Sequence, residues 1–142
     1  MAEQEVKSIA LFFLLAFLDE KVALIATRAV LKKSRKNSSA RLKTVYKIFL
    51  DYRENPKFRL SATGIIQKNS VVLPNINLSS WRQFLRDADP QSLFPLIWIQ
   101  IIKENEVAVA SAMGVTAGTL RTRVGQTLEK LGGFVETELA HA

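Results

Sequence analysis

The sequence has no cysteine and only one histidine, His141, among its 142 residues. Without cysteine the chain has no disulfide, no thiolate nucleophile and no thiolate metal ligand, which fits a reducing compartment. The histidine stands beside the last residue, where a chain end frays, so no nucleophile and base are assembled around it. Zinc spacings, phosphate loops and dinucleotide fingerprints are also missing. We therefore expect no metal, no other cofactor and no enzymatic activity.

Long apolar runs are missing as well. The longest, residues 9–18, has ten residues, whereas a helix that spans a membrane needs about 20. Two glutamates outnumber one lysine before this run, and charged residues 19–21 follow it directly. A secretory signal would instead have a basic start and a small-residue cleavage site. We expect a cytoplasmic protein that does not contact a membrane.

Excess positive charge is confined to the middle of the chain. The net charge is −3 over residues 1–20, +13 over residues 21–86 and −3 over residues 87–142, which gives +7 overall. A polyanion such as nucleic acid would meet the middle segment first, because phosphate neutralisation with counterion release drives such binding. The alternative is a solvated basic face that keeps the protein soluble. The candidate phosphate-binding residues are Arg28, Lys32, Lys33, Arg35, Lys36, Arg41, Lys43 and Lys47.

Helical periodicity predicts an all-α fold with two small helical units. Residues 5–18 and 22–33 predict two packed helices, a polar Ser/Asn-rich break covers residues 34–40, and a further helix extends over residues 41–53. The period is lost between Leu60 and Ser80, where glycine, proline and β-branched residues indicate an irregular linker. We predict a helical domain over residues 1–58 with a basic middle, a linker over 59–79, and a four-helix domain over 80–142.

Residues 108–131 have the spacing of a helix-turn-helix. Gly114 tolerates the positive φ of a turn, and Ala110 is small enough for two helices to cross closely. Thr116 is placed to cap the second helix, and Asp89 with Pro90 predicts the start of an earlier one. The buried stripe predicted for the second helix consists of Leu120, Val124, Leu128 and Leu131.

The first half of that second helix is rich in hydrogen-bonding side chains. Such residues suit a recognition helix that presents them to base edges and phosphates. An ordinary helical hairpin within a core is the alternative. The candidate DNA-binding residues are Thr116, Thr119, Arg121, Thr122, Arg123 and Gln126.

Residues 87–131 resemble the C-terminal promoter-binding domain of bacterial sigma-70-type sigma factors, especially the extracytoplasmic-function class. That family has the pattern IAxxLGxSxGTVxSRLxRAxxxL, and this chain has VASAMGVTAGTLRTRVGQTLEKL in the same register, with Gly114, Gly118, Thr119 and Arg123 matching directly. The resemblance implies that the helix from Thr116 onward enters the major groove of a promoter's −35 element. It implies Arg121 and Arg123 as the DNA contacts.

The first half of the chain resembles the same family less closely. Residues 8–33 are similar to the paired helices that dock on core RNA polymerase, and LKTVYKIFLDYREN is similar to the promoter-melting helix. Thr44 stands where that helix usually has tryptophan, which puts promoter melting in doubt. The resemblance implies promoter DNA and core RNA polymerase as partners, and an anti-sigma or other regulatory protein as a further candidate.

Two features argue against DNA binding by the helix-turn-helix. Its segment has a net charge of −3, so its two arginines must overcome repulsion from phosphates. Gly125 shares a helix face with Gly118 and Arg121, so the groove-facing surface lacks a side chain there. The leading hypothesis is a sigma-like regulator that binds promoter DNA and polymerase. The alternative is a sigma-like adaptor whose helix-turn-helix binds a protein partner.

Overall fold

A computed structural model describes residues 3–34, 41–55 and 79–140, with the backbone alone for 79, 80 and 133–140. Every regular element in these ranges is a helix, which confirms the all-α prediction. The helices are α1 (Glu3–Phe17), α2 (Glu20–Lys33), α3 (Arg41–Glu54), α4 (Ser79–Asp87), α5 (Pro90–Pro95), a π-helical segment (Leu96–Ile101), α6 (Glu106–Met113) and α7 (Ala117–Ala140).

Polar side chains fix where several helices begin. The Asp19 carboxylate accepts hydrogen bonds from the backbone N–H groups of Lys21 and Val22 at 2.8 and 3.1 Å, so α2 has a capped start. The Asp89 carboxylate accepts from the Gln91 backbone N–H at 3.1 Å and Pro90 occupies the first turn of α5, as predicted. These caps satisfy N–H groups that have no partner inside the helix.

An aromatic cluster centred on Phe12 forms the middle of the core. Phe12 of α1 is fully buried. The centre of its ring lies 5.2 Å from the ring centre of Phe49 of α3, 5.1 Å from that of Phe94 of α5 and 5.4 Å from that of Trp98 of the π-helical segment. The contacts with Phe49 and Phe94 are edge-to-face, an arrangement that aromatic quadrupoles favour. One residue of the first helix therefore packs against helices from both halves of the chain.

Two polar contacts join the same parts of the chain. The Trp81 indole N–H on α4 donates to the Leu15 carbonyl of α1 at 2.8 Å. The Arg53 guanidinium of α3 donates to the Leu85 and Ala88 carbonyls at the end of α4, and burial lowers the pKa of Arg53. An arginine at this position also stabilises the negative end of the helix dipole.

The arrangement into two separate units is not confirmed. Residues of both predicted units contribute to one cluster of buried side chains, which includes Ile9 and Val45 together with Leu93 and Leu120. The predicted linker lies outside the described residues except for Ser79, the first residue of α4. The helix-turn-helix is therefore held against the N-terminal helices by a shared core.

The helix that begins at Pro90 changes its hydrogen-bonding period after Pro95. Because proline has no N–H to donate, the α-helical ladder is interrupted there, and the Ile102 N–H bonds the Ile97 carbonyl five residues back at 2.9 Å. The wider turn buries Trp98 to 2% exposure but leaves Ile101 44% exposed. The Glu104 N–H then bonds the Trp98 carbonyl at 2.8 Å and ends the segment.

Candidate nucleic-acid interface

A glycine turn joins α6 to α7. Gly114 has φ +70°, in the left-handed region, where any L-residue is strained. Its N–H bonds the Ser111 carbonyl at 3.2 Å, and the Val115 N–H bonds the Ala110 carbonyl at 3.0 Å, the pattern of a Schellman motif. Ala110 is 3% exposed at the helix crossing. The positive φ predicted for Gly114 is confirmed, and Ala110 is buried.

Thr116 caps α7, as predicted. Its Oγ1 accepts a hydrogen bond from the Thr119 backbone N–H at 3.2 Å, while the Thr116 hydroxyl donates to the Thr119 hydroxyl oxygen at 2.9 Å. The Leu120 N–H bonds the Thr116 carbonyl at 3.1 Å, which completes the first turn. The cap fixes the direction in which α7 leaves the turn.

The buried stripe of α7 differs from the predicted one in one residue. Leu120 and Val124 are buried, and Leu131 packs partly against the core. Leu128 is 40% exposed, so its predicted burial is wrong. Thr127 is buried instead, at 3% exposure. Thr127 follows Leu120 by seven residues, which is close to two full turns of an α-helix, so it lies on nearly the same face as Leu120, whereas Leu128 lies further round the helix. The Thr127 hydroxyl donates to the Arg123 carbonyl at 2.6 Å, which satisfies it inside the core.

The opposite face of α7 is polar, small and open to solvent. Thr119, Thr122 and Gln126 are exposed there, and the Thr122 hydroxyl donates to the Gly118 carbonyl at 3.2 Å. A Cβ atom built on Gly118 or Gly125 would meet nothing within 4 Å. Another molecule could therefore approach the backbone of α7 closely along this face.

Arg121 projects from the side of α7 but already has a partner. Its Nε donates to Oε1 of Glu106 at 2.9 Å, and its Nη2 lies 2.8 Å from the same oxygen. The hydrogen bond and the carboxylate charge raise the pKa of Arg121, although its side chain stays 67% exposed. The pair links the second helix of the motif to the first turn of α6.

Arg123 of α7 lies within electrostatic range of Tyr46 of α3. Its side chain is half-buried, and its charge is close enough to Tyr46 to lower the pKa of that phenol. Burial is the larger influence on Tyr46, so the net effect is a raised pKa. Of the two predicted arginine contacts, Arg121 is therefore the more accessible.

The basic patch predicted for the middle of the chain is partly accessible. Arg41 does not belong to an open patch, because it forms an ion pair with Glu5 and its side chain is only 11% exposed. Arg35 and Lys36 lie outside the described residues. The exposed members are Arg28, Lys32 and Lys33 on α2 and Lys43 and Lys47 on α3.

Sequence reasoning missed two long-range ion pairs of the described residues, Glu5 with Arg41 and Glu106 with Arg121. Their partners are 36 and 15 residues apart along the chain. Short-range spacing, the signal used for helices and caps, carries no information about such pairs. Only the packing of α1 on α3 and of α6 on α7 brings them together.

The described residues hold no group of three or more histidine, cysteine, aspartate or glutamate side chains that could bind a metal ion. None of the helices described is long and apolar enough to cross a membrane.

The chain matches no protein-family model, no curated protein and no solved structure.

Proposed function

We propose that this protein is a sigma-factor-like transcription regulator that binds promoter DNA and core RNA polymerase. In this proposal α7 enters the major groove with its N-terminal half, and the exposed lysines and arginines of α2 and α3 contact phosphates. Two features support the proposal: residues 87–131 have a sigma-like sequence pattern, and the turn between α6 and α7 has the geometry of a helix-turn-helix.

The observation that carries the proposal is the exposed face of α7 directly after its cap. Thr119, Thr122 and Gln126 offer hydrogen-bond donors and acceptors on a helix whose other side is anchored in the core. A helix of ordinary diameter fits the major groove, which is about 12 Å wide. Gly118 and Gly125 add no bulk to that face, so the helix backbone can approach base edges.

The exposed cations supply the electrostatic part of the proposal. Arg28 and Lys32 are four residues apart on α2, and Lys43 and Lys47 are four residues apart on α3, so each pair shares a helix face. Contacts of such side chains with phosphates position a protein on a duplex without reading sequence. Affinity should then fall steeply as salt concentration rises.

A second candidate, a sigma-like adaptor, is favoured by the ion pair at Arg121. An arginine already bonded to Glu106 contributes less to DNA binding, and the glycines of α7 also suit close packing against a partner helix. In that case polymerase or another regulator binds the face of α7 and no promoter is read.

Reconstitution with core RNA polymerase tests the proposal. We expect the mixture to start transcription at a defined site on a promoter library, with starts that disappear when the protein is omitted. Polymerase binding without any defined start would favour the adaptor. A chain that binds neither polymerase nor duplex DNA at micromolar concentration would rule out the sigma-like regulator and an adaptor that binds polymerase.

Replacing Glu106 with glutamine is expected to strengthen DNA binding by up to about fivefold. An exposed ion pair contributes about 0 to 1 kcal/mol, so little is lost when Arg121 is released to a phosphate or a base edge. Fluorescence anisotropy of a labelled duplex at fixed salt measures the change.

Glu104→Gln is the matched control, since it removes the same charge two residues away without freeing an arginine. The gain in DNA affinity of Glu104→Gln should be smaller than that of Glu106→Gln. Adding Arg121→Ala to Glu106→Gln should abolish the difference between the two variants. Equal gains for both glutamines would show that only the local charge matters and that Arg121 does not contact DNA.

A further inference from the structure

A solvent-open cavity of about 410 Å³ lies where the N-terminal helices meet the start of α6. Its apolar walls come from Ile9 of α1, Leu42 and Val45 of α3, Trp98 of the π-helical segment and Ala108 of α6. The polar and charged residues of the lining are Gln4, Glu5, Ser8, Arg41 and Glu104. The volume falls within the range of small-molecule sites, which are concave, mainly apolar and equipped with a few polar groups. None of the residues proposed to contact DNA on α7 belongs to its lining.

Three buried side-chain N–H groups of the described residues have no hydrogen-bond acceptor: Nε1 of Trp98, Nε of Arg41 and Nε of Arg82. The first two belong to residues that line this cavity. The other tryptophan differs, because the Trp81 indole donates to a backbone carbonyl at 2.8 Å. Buried donors are nearly always paired in proteins, and here the described residues supply no acceptor for two donors on residues that line one cavity.

The charges around the cavity limit which kind of ligand can supply that acceptor. Arg41 is paired with Glu5, and Glu104 adds a second carboxylate, so the formal charge of the lining is −1. An anionic ligand would be repelled by this arrangement. The apolar walls formed by Ile9 and Val45 require a largely hydrocarbon body.

We propose that this cavity binds an uncharged, mainly apolar small molecule whose carbonyl oxygen accepts hydrogen bonds from the Trp98 indole and the Arg41 Nε. Both nitrogens are shielded from water in the structure. The proposal therefore requires the indole and the guanidinium to turn toward the cavity when the carbonyl enters. The ligand would contact α1, α3 and α6 together, which joins the helix-turn-helix to the N-terminal helices. The proposal depends on this contact geometry alone and stands whether or not the protein binds DNA.

The probe for the test is N-cyclohexylacetamide, an uncharged ring with one carbonyl group. In ¹⁵N–¹H correlation spectra of the full chain, each tryptophan gives one indole signal, and Trp81→Phe assigns them. We expect the Trp98 signal to move downfield with saturation at millimolar probe, the affinity typical of a fragment of this size. The Trp81 signal should stay in place. A Trp98 signal unmoved at about 20 mM probe, several times that affinity, would overturn the proposal.

Two comparisons test the location and the chemistry of the site. Ala108→Phe fills the cavity from an exposed helix position and should weaken probe binding by about tenfold or more, as expected when a pocket is occupied. Val107→Phe, at the neighbouring exposed position, should leave binding unchanged. Cyclohexanecarboxylate should bind about tenfold more weakly than the amide, because the lining carries net negative charge. Undiminished binding to the Ala108 variant, or equal binding of the carboxylate, would contradict the assignment.

Discussion

Phe12→Ala is expected to lower the free energy of unfolding by about 3 to 5 kcal/mol, the range for a large aromatic side chain removed from a core. Phe12 is fully buried and its ring contacts Phe49, Phe94 and Trp98 on three other elements. Most domains of this size have a stability of only about 5 to 15 kcal/mol. The variant should therefore unfold at much lower denaturant concentration, and the helix-turn-helix should unfold together with the N-terminal helices.

Chemical denaturation followed by two signals measures this cooperativity. Far-ultraviolet circular dichroism reports all helices, and tryptophan fluorescence reports Trp81 and Trp98. The two transitions should coincide in the parent chain and in Phe12→Ala. Leu24→Ala is the control, because Leu24 is 52% exposed and its loss should change stability by less than about 0.5 kcal/mol. Helical signal that survives after the fluorescence transition would instead support two independent units.

The elements that sequence reasoning predicted well are those determined by neighbours in the chain. The Gly114 turn, the Thr116 cap and the Asp89 cap are local hydrogen-bond patterns, and each depends on residues at most five positions apart. Such patterns are readable because the backbone has few ways to satisfy a helix end. The all-α class follows from the same periodic signals.

The features that sequence reasoning did not predict depend on contacts between distant segments. A single core emerges only when Phe12 meets Phe94, and nothing in the local spacing of either residue indicates that contact. Arg123 is half-buried, and its charge influences Tyr46, a residue far from it in the sequence. Pro95 interrupts the α-helical ladder, but the local sequence did not indicate that the helix would continue with a π-helical period. Tertiary packing therefore decides which polar side chains remain available for binding.

Thr122→Glu is expected to weaken binding to duplex DNA by about 30-fold to 100-fold, equivalent to about 2 to 3 kcal/mol. Thr122 is exposed in the middle of the face of α7 that we propose enters the groove. A carboxylate there would meet base edges and phosphates of like charge. Titration of labelled duplex at constant salt, with circular dichroism to confirm the fold, gives the comparison.

The fold itself gives no reason for Thr122→Glu to lose affinity. Glutamate has a higher helix propensity than threonine, and the exposed site imposes no packing cost, so stability should be unchanged or slightly raised. Gln4→Glu, at an exposed position of α1, makes the same change in net charge on a helix that packs mainly on α2 rather than on α7, and it should weaken DNA binding by less than about threefold, as expected for screened long-range repulsion. Equal losses in both variants would mean that net charge alone governs affinity. Unchanged DNA affinity combined with lost polymerase binding in Thr122→Glu would instead assign this face of α7 to a protein partner, because the new charge would then disturb only that contact.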